Sequence, residues 1–319
     1  MKKVIMATAS IIAATSFVTN SASADVSFIN IATATTGGSF YPAGIAVANL
    51  ISDNLEITAS ATSSAGSVEN VTLLENNEAN MAFIQINVVQ DALAGVNDFE
   101  GEAFTGMEIL TPMFRSVDHF VVSRDSGIET VDDFAGKRIA VGRAGSGTVV
   151  TSEAFLEAFD MTFDDIVPDY IGQAEALTAL QNGLIDGAPI SGGTPLSAVA
   201  EAMTTAGDRL EIYNMSAEEQ EAFVTSSGWK VSHTIPAGTY EGQDEDVHTT
   251  AHLALLMVPS DFPEDLAENI VSLMFDEVET LRSAHGVFGT FDRESSIEAL
   301  QQLSDMPVNA GARRYFGLD

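Results

Sequence analysis

The sequence predicts a two-lobed α/β protein, each lobe built on a mostly parallel sheet with helices on its faces. Three observations predict it. Short apolar runs alternate with amphipathic segments from Val26 onward, the strand-to-helix turns are rich in Gly, Ser and Thr, and the pattern restarts near His119. A stretch rich in Gly, Pro and polar residues over 231–247 then reads as a return crossing, so two crossings join the lobes and leave a cleft between them.

Taken in order, Phe28-Ile29-Asn30-Ile31-Ala32-Thr33 reads as a strand followed by the turn Gly37-Gly38. A helix runs from about Phe40 to Ser52 with Pro42 in its first turn, where proline is tolerated. Leu55 to Ala59 reads as a second strand, Val68 to Glu75 as a helix and Met81 to Ile84 as a third strand. The second unit holds strands at His119–Val122, Arg138–Val141 and Leu184–Ala188, with helices over 149–159 and 174–182. Helices around 264–284 pack back on the first lobe. The expected division is lobe 1 over 25–118 and 235–319 and lobe 2 over 119–234.

Residues 1–24 combine Met1-Lys2-Lys3, an apolar stretch from Val4 to about Val18 and Ala22-Ser23-Ala24, which together describe a cleavable secretory signal. The stretch falls short of the roughly 20 apolar residues a membrane-spanning helix needs. No later segment is long and apolar enough to span, so a soluble exported protein is expected. The 295 residues after Ala24 suffice for two cores. The chain has no cysteine, which excludes disulfides, thiol chemistry and cysteine-based metal sites.

Charge is extreme. The 319 residues carry a formal net charge of −33, and beyond the leader only Lys137 and Lys230 remain as lysines. Nucleic acid and anionic membranes are poor partners for such a surface. The acids are scattered along the chain, which fits a solvated surface in high salt, where a Debye length of about 3 Å at 1 M makes self-repulsion tolerable. A halophilic source is inferred; cation binding is the alternative.

Four turns carry the recognition chemistry. Thr35-Thr36-Gly37-Gly38-Ser39-Phe40-Tyr41-Pro42 follows a strand and opens a helix, whose free N–H groups and partial positive charge attract anions. The alternative is a tight turn with a hydroxyl cap. Ser67 and Asn70 stand three apart at the next helix start, on one side of its first turn; capping accounts for Ser67 more readily than for Asn70. Gly142-Arg143-Ala144-Gly145-Ser146-Gly147-Thr148 lacks both the phosphate-loop lysine and the full dinucleotide glycine spacing, leaving an anion-cradling loop with Arg143 either beside it or facing solvent. Gly187 to Pro195, with Ser191 and Gly192, is the fourth. Open α/β sheets bind ligands at such strand ends.

Catalytic patterns are absent. His248 and His252 are four apart without the zincin motif, Asp244-Glu245-Asp246 lacks calcium-loop spacing, and no nucleophile elbow occurs. Neither a metal nor a cofactor nor a catalytic residue is expected.

The motifs Thr36-Gly37-Gly38-Ser39-Phe40-Tyr41-Pro42, Gly66-Ser67-Val68-Glu69-Asn70, Phe83-Ile84-Gln85, Gly145-Ser146-Gly147-Thr148, Gly183-Leu184-Ile185-Asp186-Gly187 and 240–247 occur in an order that resembles the TAXI family of receptors for TRAP transporters. The resemblance covers nearly the whole chain after the leader. It implies a type II-like periplasmic binding fold that closes on its ligand in the manner of a Venus flytrap. It also implies a glutamate-like or related C4–C5 carboxylate as ligand, and TRAP membrane subunits as partners in the periplasm. By matching motif positions, the resemblance marks Thr36, Gly38, Tyr41, Ser67, Asn70, Gln85, Ser146, Gly147 and Thr148 as ligand-binding, with Ser191 and Gly192 as weaker transfers. Arg143 or Arg115 is expected to assist, and a monomer is expected. Phe40 and Asn87 depart from residues common in the family, a second tyrosine and an acid, and both bear on ligand choice. A ligand sensor for a signalling partner, or an enzyme on the same fold, are the rival readings.

Overall fold

The computed structural model describes residues 26–318; the leader read over 1–24 lies outside them. The strands are β1 (Phe28–Ala32), β2 (Thr58–Thr62), β3 (Met81–Gln85), β4 (Met107–Ser123), β5 (Arg138–Ala140), β6 (Val167–Asp169), β7 (Gly187–Gly192), β8 (Leu210–Ile212), β9 (Val231–Ile235) and β10 (Val247–Pro259). The helices are α1 (Phe40–Asn54), α2 (Ser67–Glu75), α3 (Ile86–Ala94), α4 (Gly147–Glu157), α5 (Gln173–Gln181), α6 (Ser197–Ala206), α7 (Ala217–Ser227), α8 (Glu264–Asp276), α9 (Val278–Ala284), α10 (Arg293–Gln302) and α11 (Ala310–Phe316).

The strands form one mixed sheet in the order β2-β1-β3-β10-β4-β7-β5-β6, with β8 on β4 and β9 on β10. At one end β1 lies parallel between β2 and β3; at the other β5 lies parallel between β6 and β7. Each parallel end is a strand–helix–strand unit, as the alternating sequence predicts. Between them run β4 and β10, paired antiparallel from Met107–Pro259 to Val117–Ala251.

This ribbon serves three apolar cores. The largest draws on β1, β3, α1, the 107–114 half of β4, the 254–258 half of β10 and the C-terminal helices. The other two draw on Val117 to Val122, β7, α4 to α7 and the residues around Ile235, Tyr240, Val247 and Ala251. The stretch read as a return crossing therefore holds β9 and a loop packed in the second set of cores, and the chain passes to the first core within β10. Four phenylalanines, Phe40, Phe83, Phe114 and Phe288, pack at centroid distances of 5.5–6.4 Å. They fix the start of α1 against the ribbon.

Two strands are displaced from their expected positions. Leu55 N–H donates to Ile51 O and closes α1, so β2 begins only at Thr58. Leu184 is exposed in a turn after α5, which shifts β7 to Gly187–Gly192.

Candidate functional site

All four glycine-containing turns meet in one place. A cavity of about 40 Å³ is lined by Gly38, Ser39 and Phe40 from the first turn, Gly66 and Ser67 from the second, Ser146, Gly147 and Thr148 from the third, and Ser191 from the fourth. Gln85, Ser116, Gln173 and His252 complete most of its wall. Among the described residues no lysine, arginine, aspartate or glutamate lines it.

The wall is made of helix starts. The N-termini of α1, α2 and α4 all open on the cavity, and their first-turn amides have no intrahelical partner. Each helix adds a partial positive charge there. Hydroxyls sharpen the pattern. Ser146 Oγ caps α4 by accepting from Val149 N–H at 3.2 Å, and Ser67 Oγ accepts from Gln85 N–H at 3.1 Å. Both remain able to donate their own hydrogen. Thr148 Oγ1 accepts from Gln173 Nε2 at 3.2 Å, while Gln173 Oε1 is buried without a partner. Gln85 Nε2 donates to Asn87 Oδ1 at 2.8 Å, so the neutral Asn87 orients Gln85.

The turns touch one another across the cleft. Ala174 N–H donates to Thr36 O at 3.2 Å, Glu69 N–H to Gly145 O at 3.0 Å and Gly193 N–H to Ser39 Oγ at 2.8 Å. Glycine permits the approach. A Cβ on Gly147 would collide with Gln85 Oε1 and sit 2.9 Å from Ser67 Oγ, and one on Gly66, whose φ is +136°, would sit 3.3 Å from Ser146 Cα.

Behind the cavity lies a dry charged cluster. Asp118 Oδ2 accepts from Lys230 Nζ at 2.5 Å and Thr250 Oγ1 at 2.6 Å, and its Oδ1 accepts from Ser191 Oγ at 3.1 Å. Lys230 and Asp118 side chains are both fully buried. Burial would raise the Asp118 carboxyl, but the Lys230 ammonium and His252 outweigh it and hold it well below the usual range. Burial lowers Lys230, and Asp118 opposes that shift. His252 Nδ1 lies 3.2 Å from Lys230 Nζ and 3.7 Å from Asp118 Oδ1. Burial first and Lys230 second push its pKa down. His119, held by Ile190 O at 3.1 Å and Tyr240 OH at 2.8 Å, is lowered to about 4 by burial.

Of the residues singled out from the sequence, Gly38, Ser67, Gln85, Ser146, Gly147, Thr148 and Ser191 line the cavity. Thr36, Tyr41, Asn70, Arg143 and Gly192 do not. Asn70 is fully buried and braces the turns, its Nδ2 donating to Thr33 O and Phe83 O and its Oδ1 accepting from Ser64 Oγ. Thr36 offers its carbonyl across the cleft, and Arg143 is exposed. Gly192 packs on Ser39 and Leu196. Arg115 lines a separate cavity with His233 and Glu298. Gln173, Ser116 and His252 went unmarked in the sequence.

Two parallel α/β ends joined by a shared antiparallel ribbon, with helix starts meeting between them, define a two-lobed periplasmic binding protein fold. The model of the NMT1-like family matches residues 31–317, and the chain belongs to that family. The fold is similar to MatC from Rhodopseudomonas palustris with bound malate, at 12% identity and TM-score 0.59, covering 91% of this chain and 98% of that one. It is similar also to PhnD1 from Prochlorococcus marinus in complex with methylphosphonate, at 10% identity and TM-score 0.55, covering 82% and 90%. A protein from Bordetella bronchiseptica RB50 matches at 18% identity and TM-score 0.53, covering 91% and 89%. Among the described residues no helix is long and apolar enough to cross a membrane.

Proposed function

We propose that the protein is an extracytoplasmic solute receptor that captures a small carboxylate between its lobes and delivers it to a TRAP-type permease of the TAXI kind. From the sequence the lobes are 25–118 with 235–319 and 119–234; the packing of Ile235, Tyr240, Val247 and Ala251 favours assigning 235–251 to the second. One observation supports the reading above the rest: three helix N-termini and several hydroxyls converge on a cavity with no charged side chain in its wall. Such a site favours an anion through fixed dipoles, without a counter-charge that would also hold chloride or solvent ions loosely.

The wall is not made of donors alone. Ser191 Oγ commits its hydrogen to Asp118, and Gln173 Oε1 is an unpartnered buried acceptor. Both suit a ligand that donates as well as accepts, such as a 2-amino or 2-hydroxy acid. Glutamate and related C4–C5 acids belong to that class. Hydrogen bonds to an ionised group contribute about 1.5–3 kcal/mol each, so three or four support micromolar binding, which needs about −8 kcal/mol. A ligand gripped from both sides favours the closed arrangement by its differential affinity. The carboxylate that Ser191 Oγ meets is ion-paired with Lys230 and held well below the usual range, which makes it a poor base and favours a receptor over an enzyme.

Thermal melts with a panel of amino acids, hydroxy acids, sugars and cationic solutes test this. A ligand at 100 times its Kd adds about 2.7 kcal/mol, a shift of several degrees. A response confined to sugars or cations would overturn the ligand class.

A further inference from the structure

We propose that the bound anion is captured together with one proton, taken up by His252, whose Nδ1 then exchanges Lys230 Nζ for Asp118 Oδ1 as its partner. The inference rests on the carboxylate reading above and adds a titrating residue to it.

Geometry carries the argument. His252 sits on β10 opposite Ser116 of β4, is 2% exposed and lines the cavity. Its Nδ1 is 3.2 Å from Lys230 Nζ, and an ammonium can only donate. In the neutral ring Nδ1 therefore accepts and the single proton resides on Nε2. Nε2 makes no hydrogen bond among the described residues, which leaves it to serve the cavity. Asp118 Oδ1, at 3.7 Å, lies just beyond hydrogen-bond reach of the same Nδ1. One nitrogen thus has two candidate partners of opposite charge, one suited to each protonation state.

The charge balance sets the direction. Asp118 and Lys230 cancel, so the neutral ring leaves the cluster uncharged and protonation gives it one positive charge in a dry site. That state is disfavoured alone and favoured beside a carboxylate in the cavity. The proton comes from solvent, and no other bond changes. The groups facing His252 allow this assignment. Asp118 and Lys230 are the charged ones, Ser116 and Trp229 are neutral, and Gln85 on β3 is neutral across the neighbouring register position. Arg115 pairs with Leu253 at the next register position and so lies on the opposite face of the sheet, and His233 pairs with Thr249 on β9; both line the separate cavity.

The sign follows. Burial and Lys230 keep the ring neutral in the free protein near neutral pH, and the bound anion raises its proton affinity. Binding should therefore tighten as pH falls, by up to about tenfold per unit for one proton taken up. L-glutamate keeps its charge state between pH 6 and 8, so the slope measured with it belongs to the protein.

Trp229 supplies the readout. It is the single tryptophan of the chain, its ring is 5.9 Å from that of His252, and a neighbouring imidazolium quenches indole emission. Emission would be titrated from pH 8 to 5 in the full protein, free and saturated with L-malate or L-glutamate, beside calorimetric Kd values over pH 6–8. Support is a quenching midpoint that moves to higher pH with the acid present, with Kd falling as pH falls. His252→Gln, which cannot titrate, should lose the Kd slope. Nitrogen-15 spectra of the wild-type ring give a check needing no variant. A proton on Nδ1, or an imidazolium already present at pH 7.5 without ligand, overturns the proposal. So does a Kd independent of pH. If neither acid shifts the melt, the carboxylate reading fails and carries the proton linkage with it, while a ring carrying its proton on Nδ1 fails the linkage alone.

Discussion

The cavity and the cluster directly behind it solve opposite problems with neighbouring residues. The cavity wall is polar and uncharged, whereas Asp118 and Lys230 one layer deeper are charged and fully buried. The difference teaches a division of labour. On the proposed function the fixed dipoles recognise the ligand, while Asp118 of β4 ties Ser191 of β7 and Thr250 of β10 together beneath them. In a chain of net charge −33 an exposed basic patch would be swamped by surrounding acids, so recognition by backbone dipoles is the more selective course.

Removing one partner of the deep cluster should have the largest effect. Lys230→Met leaves the Asp118 carboxylate buried without its ammonium and should cost about 3–5 kcal/mol, measured by urea unfolding. Asn70→Ala breaks the comparison from the other side. It removes the amide donor from buried Phe83 O and leaves Thr33 O to Ser64 Oγ alone, 3.1 Å away, and should cost about 1–3 kcal/mol of stability although Asn70 does not line the cavity. A Kd that changes far more than the unfolding free energy would return Asn70 to the binding surface.

Acid sharpens the same contrast. His119 is neutral when folded, with its pKa at about 4 against an ordinary value of 6.5. Between those values the unfolded chain holds the extra proton, so stability is present above pH 6.5 and lost as pH falls toward 4. The loss should reach about 3 kcal/mol for this group alone, at roughly 1.4 kcal/mol per unit. His119→Gln should flatten that slope in pH-dependent melts.

Gly147→Ala affects the cavity and spares the cores. Its Cβ would meet Gln85 across the cleft, so closure suffers while each core is untouched. Affinity should fall by about tenfold, or about 1.4 kcal/mol, with little change in Tm. Arg143→Ala should do least. Its side chain is exposed and outside the cavity, and Kd should stay within about twofold, the range of an ordinary surface substitution.

The alternation of strand and helix was legible because each parallel end of the sheet is a local unit, and so were the turns, whose glycines and hydroxyls announce helix starts. Seven of the twelve residues marked from the sequence line the cavity. The others show what spacing leaves open. Ser67 and Asn70 are three apart on α2, yet one faces the cavity and the other is wedged between the carbonyls of Thr33, just past β1, and Phe83 of β3. His252 was hidden for another reason. Its position is set by pairing between β10 and β4, more than 130 residues apart in sequence, and its i, i+4 relation to His248 points to no helix because both lie on a strand. Lys230 carried a faint signal, as one of two lysines after residue 24 and the neighbour of the single tryptophan.

The ribbon has a practical corollary for anyone dissecting the molecule. Because β4 and β10 each supply side chains to cores on both sides, no single cut yields a self-sufficient half. A fragment ending at 118 would lack β10, the strand that joins β3 to β4, and a fragment of 119–234 would lack the backbone partner that supports β9. Protease nicking should leave both pieces associated, and swapping halves with a relative would require exchanging the two long strands as a pair.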